Sequence, residues 1–330
     1  MGKSLENRNA SIDYLKALCA IFVIFQHSIS HVNMDYGCSI PRWMEVVTAP
    51  IYVHVPLFFV IGGYLSHRQP LKEYFPKKVR RVIVPFYFFC ILKLLYTNVI
   101  SDKFSHAPNL PGQLYESFIL GGLYWFPYAI FLFYCIAPLM WWKWEDKPIG
   151  CWMVFIFSLS INIWNPIFGL YISFPHVFQI STAMQFLPFF SIGLLIQSYK
   201  EIIARLNQNK TVVSIVGLVL YVVLYLLEGT DFFSNYFFWF MKNLSVMVFL
   251  YNAVGAFGEM PILRKISDYT YQLMLIDSFF RVVILAVINK IFTVSLYWII
   301  PQTILTIFCG VLVCEFVSSK TKVLKFLFGL

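Results

Sequence analysis

The chain has 330 residues, 59% of them hydrophobic and only 12% charged, with a formal net charge of +9 at pH 7. A soluble domain carries about 25% charged residues, so this composition and a mean hydropathy of +0.72 exclude a soluble enzyme and indicate a polytopic membrane protein. The basic excess does not read as a nucleic-acid footprint, because it falls in alternate loops and so orients a membrane protein. Each span uses about 20 residues plus a loop. Ten spans fit, and residues 1–330 are expected to form one integral-membrane, all-α domain.

The first span carries the densest chemistry. From Arg8 to His31 the sequence reads RNASIDYLKALCAIFVIFQHSISH, a polar lead-in followed by an apolar helix holding Asp13, Lys16 and His27. At 100° per residue, Lys16 and His27 lie about 20° apart around the helix and about 16 Å apart along it. Asp13, three residues before Lys16, shares nearly the same face. Ionisable groups inside a span are costly and mark functional sites by default. A packed core histidine and a snorkelling lysine are the bland alternatives. The apolar run is too long for a cleavable signal, so no processing is expected.

Apolar spans are expected at about 11–32, 46–66, 82–100, 117–141, 150–170, 180–198, 211–228, 234–256, 269–289 and 296–317. One set of alternating loops then collects nineteen Lys and Arg residues. The other set holds three: Arg42, Lys103 and Lys290. This positive-inside bias puts both termini in the cytoplasm. Cys19, Cys90, Cys135, Cys151, Cys309 and Cys314 fall in or beside apolar runs and only Cys38 in an outer loop, so no disulfide framework is expected. His27 and His31 are i, i+4 neighbours without an evident third ligand, so no metal site is expected either.

Further along, Gly62 and Gly63 would let a helix or ligand approach closely. The segment KEYFPKKVRRVIVP is the densest basic run, with Lys77, Lys78, Arg80 and Arg81 at the cytoplasmic mouth of the third span. It serves either anionic-lipid contact or, through Arg81, bidentate capture of a phosphate. Trp125 and Phe126, beside Pro127, could line a cavity at a broken helix. Trp141, Trp142 and Trp144 read as interface anchors. Lys242 needs a partner or a wet cavity, and Asp277 with Arg281 reads as an i, i+4 pair within one helix.

Together these landmarks resemble the integral-membrane acyltransferase family 3. Its first-span pattern appears as Asp13-Tyr14-Leu15-Lys16, ten residues, then His27. Its FF-x-x-[SG]-G-[FY]-L segment appears as Phe58 to Leu65. Its basic motif appears as Lys78-Val79-Arg80-Arg81, with Lys77-x-x-Arg80 as an overlapping register, and its Trp-Phe as Trp125-Phe126. The late S-Y-x-I-Y-L-x-H segment is echoed from Thr270 to Asp277. Two residues depart from the pattern: Lys16 replaces an Arg, and Asp277 replaces the late His.

The resemblance implies a cell-membrane enzyme that moves an acyl group, acetyl or succinyl, from cytoplasmic acyl-CoA to a hydroxyl of an exported or envelope carbohydrate. It implies catalytic roles for His27, Lys16 and Asp13, with His27 as general base. Lys78, Arg81, Lys77 and Arg80 would bind the donor, and Trp125 and Phe126 the acceptor. Expected partners are acyl-CoA, the carbohydrate acceptor, membrane lipids and polysaccharide-synthesis proteins, with no nucleic acid. The competing readings are a transporter or flippase, with His27, Lys242 and the Asp277–Arg281 pair lining a pathway, and a membrane scaffold.

Overall fold

A computed structural model describes residues 9–99, 110–122, 124–141, 148–168, 177–206, 208–228, 230, 235–256 and 258–330. All regular elements among them are helical. In chain order they are α1 (Ala10–Tyr36), α2 (Arg42–Thr48), α3 (His54–Tyr64), α4 (Leu71–Lys78), α5 (Val84–Val99), α6 (Leu110–Tyr115), α7 (Trp125–Met140) and α8 (Ile149–Phe168). There follow α9 (Ile180–Ser198), α10 (Lys200–Leu206), α11 (Lys210–Leu227), α12 (Tyr236–Ala256), α13 (Pro261–Asp268), α14 (Thr270–Ile291), α15 (Ile299–Ser318) and α16 (Lys322–Phe328). Among the described residues, seven helical stretches are long and apolar enough to cross a membrane, or eight if the bent pair Pro111–Leu120 and Trp125–Met140 is one span. Among the described residues every expected span coincides with a helix, but fewer than ten meet those criteria. The third, for example, yields only the 16-residue α5, because the residues before it form polar α4 and a π-turn at Val79–Ile83.

The chain divides into two compact units, residues 1–61 with 200–312 and residues 62–199 with 313–330. In the first, α1 is the central element and packs along α12, α13 and α14. Asn9 caps its start by accepting from the Ser11 amide at 3.0 Å, and Gly37 ends it with φ +68°. That left-handed conformation suits a residue without Cβ. Ala17, Ala20 and Ile24 of α1 meet Ile266 and Leu273 in a buried cluster, where the two alanines let the backbones draw close. Nearer the other end, Ile29 and Val32 pack with Met44, Leu285, Val294 and Ile299. By contrast α11 turns Val212, Ile215, Val216, Val219, Val223 and Leu226 outward. Lipid solvates such a stripe well.

In the second unit α7 and α8 pack on α9, and α16 packs on α5 through Phe328 against Phe88 and Phe89. Gly63, at the end of α3, sits against the backbone of α9: a Cβ there would lie 2.0 Å from the Phe190 carbonyl oxygen. Trp141 is not the interface anchor expected. It is buried, with its ring 4.9 Å from Tyr74 in an edge contact. Trp142 and Trp144 lie outside the described residues.

Because a backbone carbonyl cannot yield as a side chain does, Gly63→Ala should overpack the α3–α9 contact at a cost of about 1–3 kcal/mol. Gly258→Ala, which meets nothing within 4 Å, should be near neutral. Thermal unfolding of both variants in detergent checks this.

Candidate active site

The residues expected from the first span do not form one cluster. Asp13, in the first turn of α1, is buried and accepts a hydrogen bond from the Ser267 hydroxyl of α13 at 3.1 Å. Lys16 Nζ lies 3.6 Å from the same carboxylate oxygen. Asp13 and Lys16 are thus joined to each other and to α13, whereas His27, eleven residues on from Lys16, has a different set of partners.

His27 Nδ1 is 2.8 Å from Asp277 Oδ2 on α14. The carboxylate is 2% exposed and the imidazole side chain 44% exposed, so one edge of the ring is held while the rest stays open. Arg281, one turn beyond Asp277, donates from Nη1 to the His27 carbonyl at 3.0 Å. Its Nε lies 3.6 Å from Asp277 Oδ2, an ion pair too long to be a hydrogen bond. The i, i+4 pair expected within α14 therefore exists, but both members also reach across to α1.

One turn further along α1, His31 Nδ1 faces the Gln302 amide nitrogen at 3.0 Å, and that nitrogen also donates to the Arg281 carbonyl at 3.1 Å. His31 Nε2 is 3.2 Å from Asp35. Thr303 hydrogen-bonds Ser28 at 3.1 Å. His54, at the start of α3, is buried with Nδ1 2.7 Å from the Ile51 carbonyl. Sequence reasoning missed His54. The signal available was a histidine opening an otherwise apolar helix. Lys242 is satisfied by Glu228 and by the Tyr225 ring, so the intramembrane charges form separate pairs rather than one file.

In the second unit the four basic residues divide. Lys77 pairs with Glu73 at 3.3 Å in an exposed contact. Arg80 donates to the Leu330 carbonyl at 3.2 Å. Lys78 and Arg81 have no carboxylate partner among the described residues. Lys78 Nζ sits 3.6 Å above the Tyr134 ring and 5.3 Å from Tyr74. Burial first, and then the Arg81 charge, lower its pKa from the usual lysine value to about 8. Arg81 itself is exposed. Trp125, opening α7, stacks on Phe186 at 5.6 Å and meets Phe126 edge-on at 6.1 Å.

A bundle of apolar helices with a half-open histidine held by a buried carboxylate is the architecture of a multi-pass membrane protein with a polar interior site. A family model described as an acyltransferase domain matches residues 9–318, and the chain belongs to this acyltransferase family. It is similar to the Nodulation protein NolL of Sinorhizobium fredii, 28% identical over 138 residues, which is 40% of this chain and 37% of the relative. It is also similar to the Nodulation protein NolL of Mesorhizobium japonicum, 27% identical over 139 residues, 41% of this chain and 36% of the relative. The matched stretch thus covers little more than a third of either relative. No solved structure matches the chain significantly.

Asp13→Ala would leave the Ser267 hydroxyl and Lys16 without their shared acceptor. It should cost about 1–3 kcal/mol and exceed the loss from Ser267→Ala, where the carboxylate keeps Lys16. Thermal midpoints of the two variants decide the order.

Proposed function

We propose that the protein is a membrane O-acyltransferase that moves an acyl group from acyl-CoA to a hydroxyl of a cell-envelope or exported carbohydrate. Family membership supports the reaction class. The observation that carries the residue assignment is the His27 imidazole, which is 44% exposed although the carboxylate behind it is nearly inaccessible. A merely structural histidine has no need of an open edge.

In this reading His27 takes the acceptor hydroxyl proton as the oxygen attacks the thioester carbonyl. The tetrahedral adduct collapses, the C–S bond breaks, and His27 returns the proton to the departing thiolate. The products are an ester and CoA. Lys78 and Arg81, which have no carboxylate partner among the described residues, hold the donor phosphates. Lys77 and Arg80, already engaged by Glu73 and Leu330, add long-range attraction. Lys16 contributes charge at the cytoplasmic end of α1 and Asp13 fixes its position. Trp125 and Phe126 offer ring faces to the acceptor sugar. The protein lies in the cell membrane with ten spans and both termini in the cytoplasm, and it works beside the proteins that build its acceptor. The transport reading is weakened by the separate pairing of Lys242 with Glu228 and of His27 with Asp277.

The test is labelled-acyl transfer by purified protein in liposomes, with acyl-CoA on one face. General-base catalysis is typically worth 10²–10⁴-fold, so His27→Ala should lose at least about 100-fold in kcat, while Arg81→Ala should chiefly raise the donor KM. Movement of a solute or lipid-linked sugar without release of CoA would establish transport instead.

A second outcome follows from Lys78. It is charged below about pH 8 and neutral above, and a bound phosphate favours the charged form. Donor KM should therefore rise as pH increases through about 8, and Lys78→Arg should flatten that rise. A KM profile in the wild type that stays level from pH 7 to 9 would remove Lys78 from donor binding.

A further inference from the structure

Three histidines of the first unit have ring partners that fix their tautomers. A carboxylate only accepts hydrogen bonds, so the 2.8 Å contact to Asp277 requires His27 Nδ1 to carry the proton, which leaves the Nε2 lone pair free. His54 is set the same way by the Ile51 carbonyl, but it is buried. His31 is set oppositely. The Gln302 amide nitrogen must face the Arg281 carbonyl and therefore donates to His31 Nδ1, leaving Nε2–H for Asp35. His27 alone of the three combines an open ring edge with a buried carboxylate behind it.

We propose that Asp277, which Arg281 approaches to 3.6 Å, is a positioning residue that locks His27 with its proton on Nδ1, so that Nε2 is the atom that takes and returns the acceptor proton. This rests on His27 being the base. One turn of α14 grips His27 at both ends: Asp277 holds the ring and Arg281 the backbone carbonyl. Neither contact is available from α1 itself. When Nε2 takes the hydroxyl proton the ring becomes an imidazolium, and the Asp277 carboxylate stabilises that charge without taking a proton. The Arg281 charge offsets the cost of keeping a carboxylate out of water. Asp277 occupies the position where the family pattern has a histidine, so this chain supplies an anion where its relatives' pattern supplies an imidazole.

The experiment uses the full chain in liposomes and compares wild type, His27→Ala, Asp277→Asn, Asp277→Glu and the double variant His27→Ala/Asp277→Asn. Asp277→Asn should lower kcat about 100-fold or more with donor KM unchanged, and Asp277→Glu should recover part of that loss. The double variant should be no slower than His27→Ala, because Asp277 acts only through His27. Histidine-labelled ¹⁵N NMR of the wild type, with the His27 signal assigned by its loss in His27→Ala, should show a protonated Nδ1 and an unprotonated Nε2 at neutral pH. The opposite tautomer overturns the proposal even if the Asp277 variants do not fold. Full activity in Asp277→Asn with a dead His27→Ala also overturns it, leaving the base assignment standing. Full activity in His27→Ala removes the base itself and is a different failure.

Discussion

An ionised carboxylate within a membrane bundle must bring its own counter-charge, and this constraint arranges the first unit around α1. Asp277 meets Arg281 and His27, Asp13 meets Lys16 and Ser267, and Glu228 meets Lys242. Two of these sets tie α1 to its neighbours, at its first turn and again near His27. Gln302 and Thr303 of α15 add a third attachment at His31 and Ser28. Van der Waals packing of Ala17, Ala20 and Ile24 brings the helices together, but apolar side chains alone would slide as easily against lipid as against protein. The polar contacts set the register of α1, and with it the direction of every side chain on the stripe that carries His27.

The second unit follows the opposite logic in its basic segment. Lys77 and Arg80 are spoken for, while Lys78 and Arg81 stand near each other, without a carboxylate partner among the described residues, and Lys78 lies over aromatic faces. Like charges left together without an acid resist one another, and an incoming anion relieves both.

Much of the fold was legible because apolar composition along the chain is a one-dimensional signal: each expected span has a helix at its place. The span criteria failed where the sequence mixes polar and apolar turns, as in the stretch through α4 into α5. The site was legible only along a single helix. Asp13 and Lys16 lie three residues apart and do meet, but Asp277 is 250 residues from His27 in sequence. Its nearest plausible partner along the chain is Arg281, so the sequence shows the local pair and hides the bond across helices. The burial of Trp141 is illegible for a related reason, since nothing local reveals that Tyr74 folds against it. In each case pattern within one element was readable, and contact between elements was not.

The π-turn at Val79–Ile83 is where a helix has absorbed one residue more than its turn requires. Such turns are rare and recur at functional positions. Here it falls between Lys78 and the residues that continue into α5, so the bearing of Arg80 and Arg81 relative to Lys78 depends on that surplus residue. Its deletion would restore an ordinary helical turn and shift Arg80 and Arg81 around the helix relative to Lys78, while the flanking turns keep their faces. The basic segment is therefore sensitive to length as well as to charge. A relative could carry the same cations in the same order and, lacking one residue here, point them elsewhere.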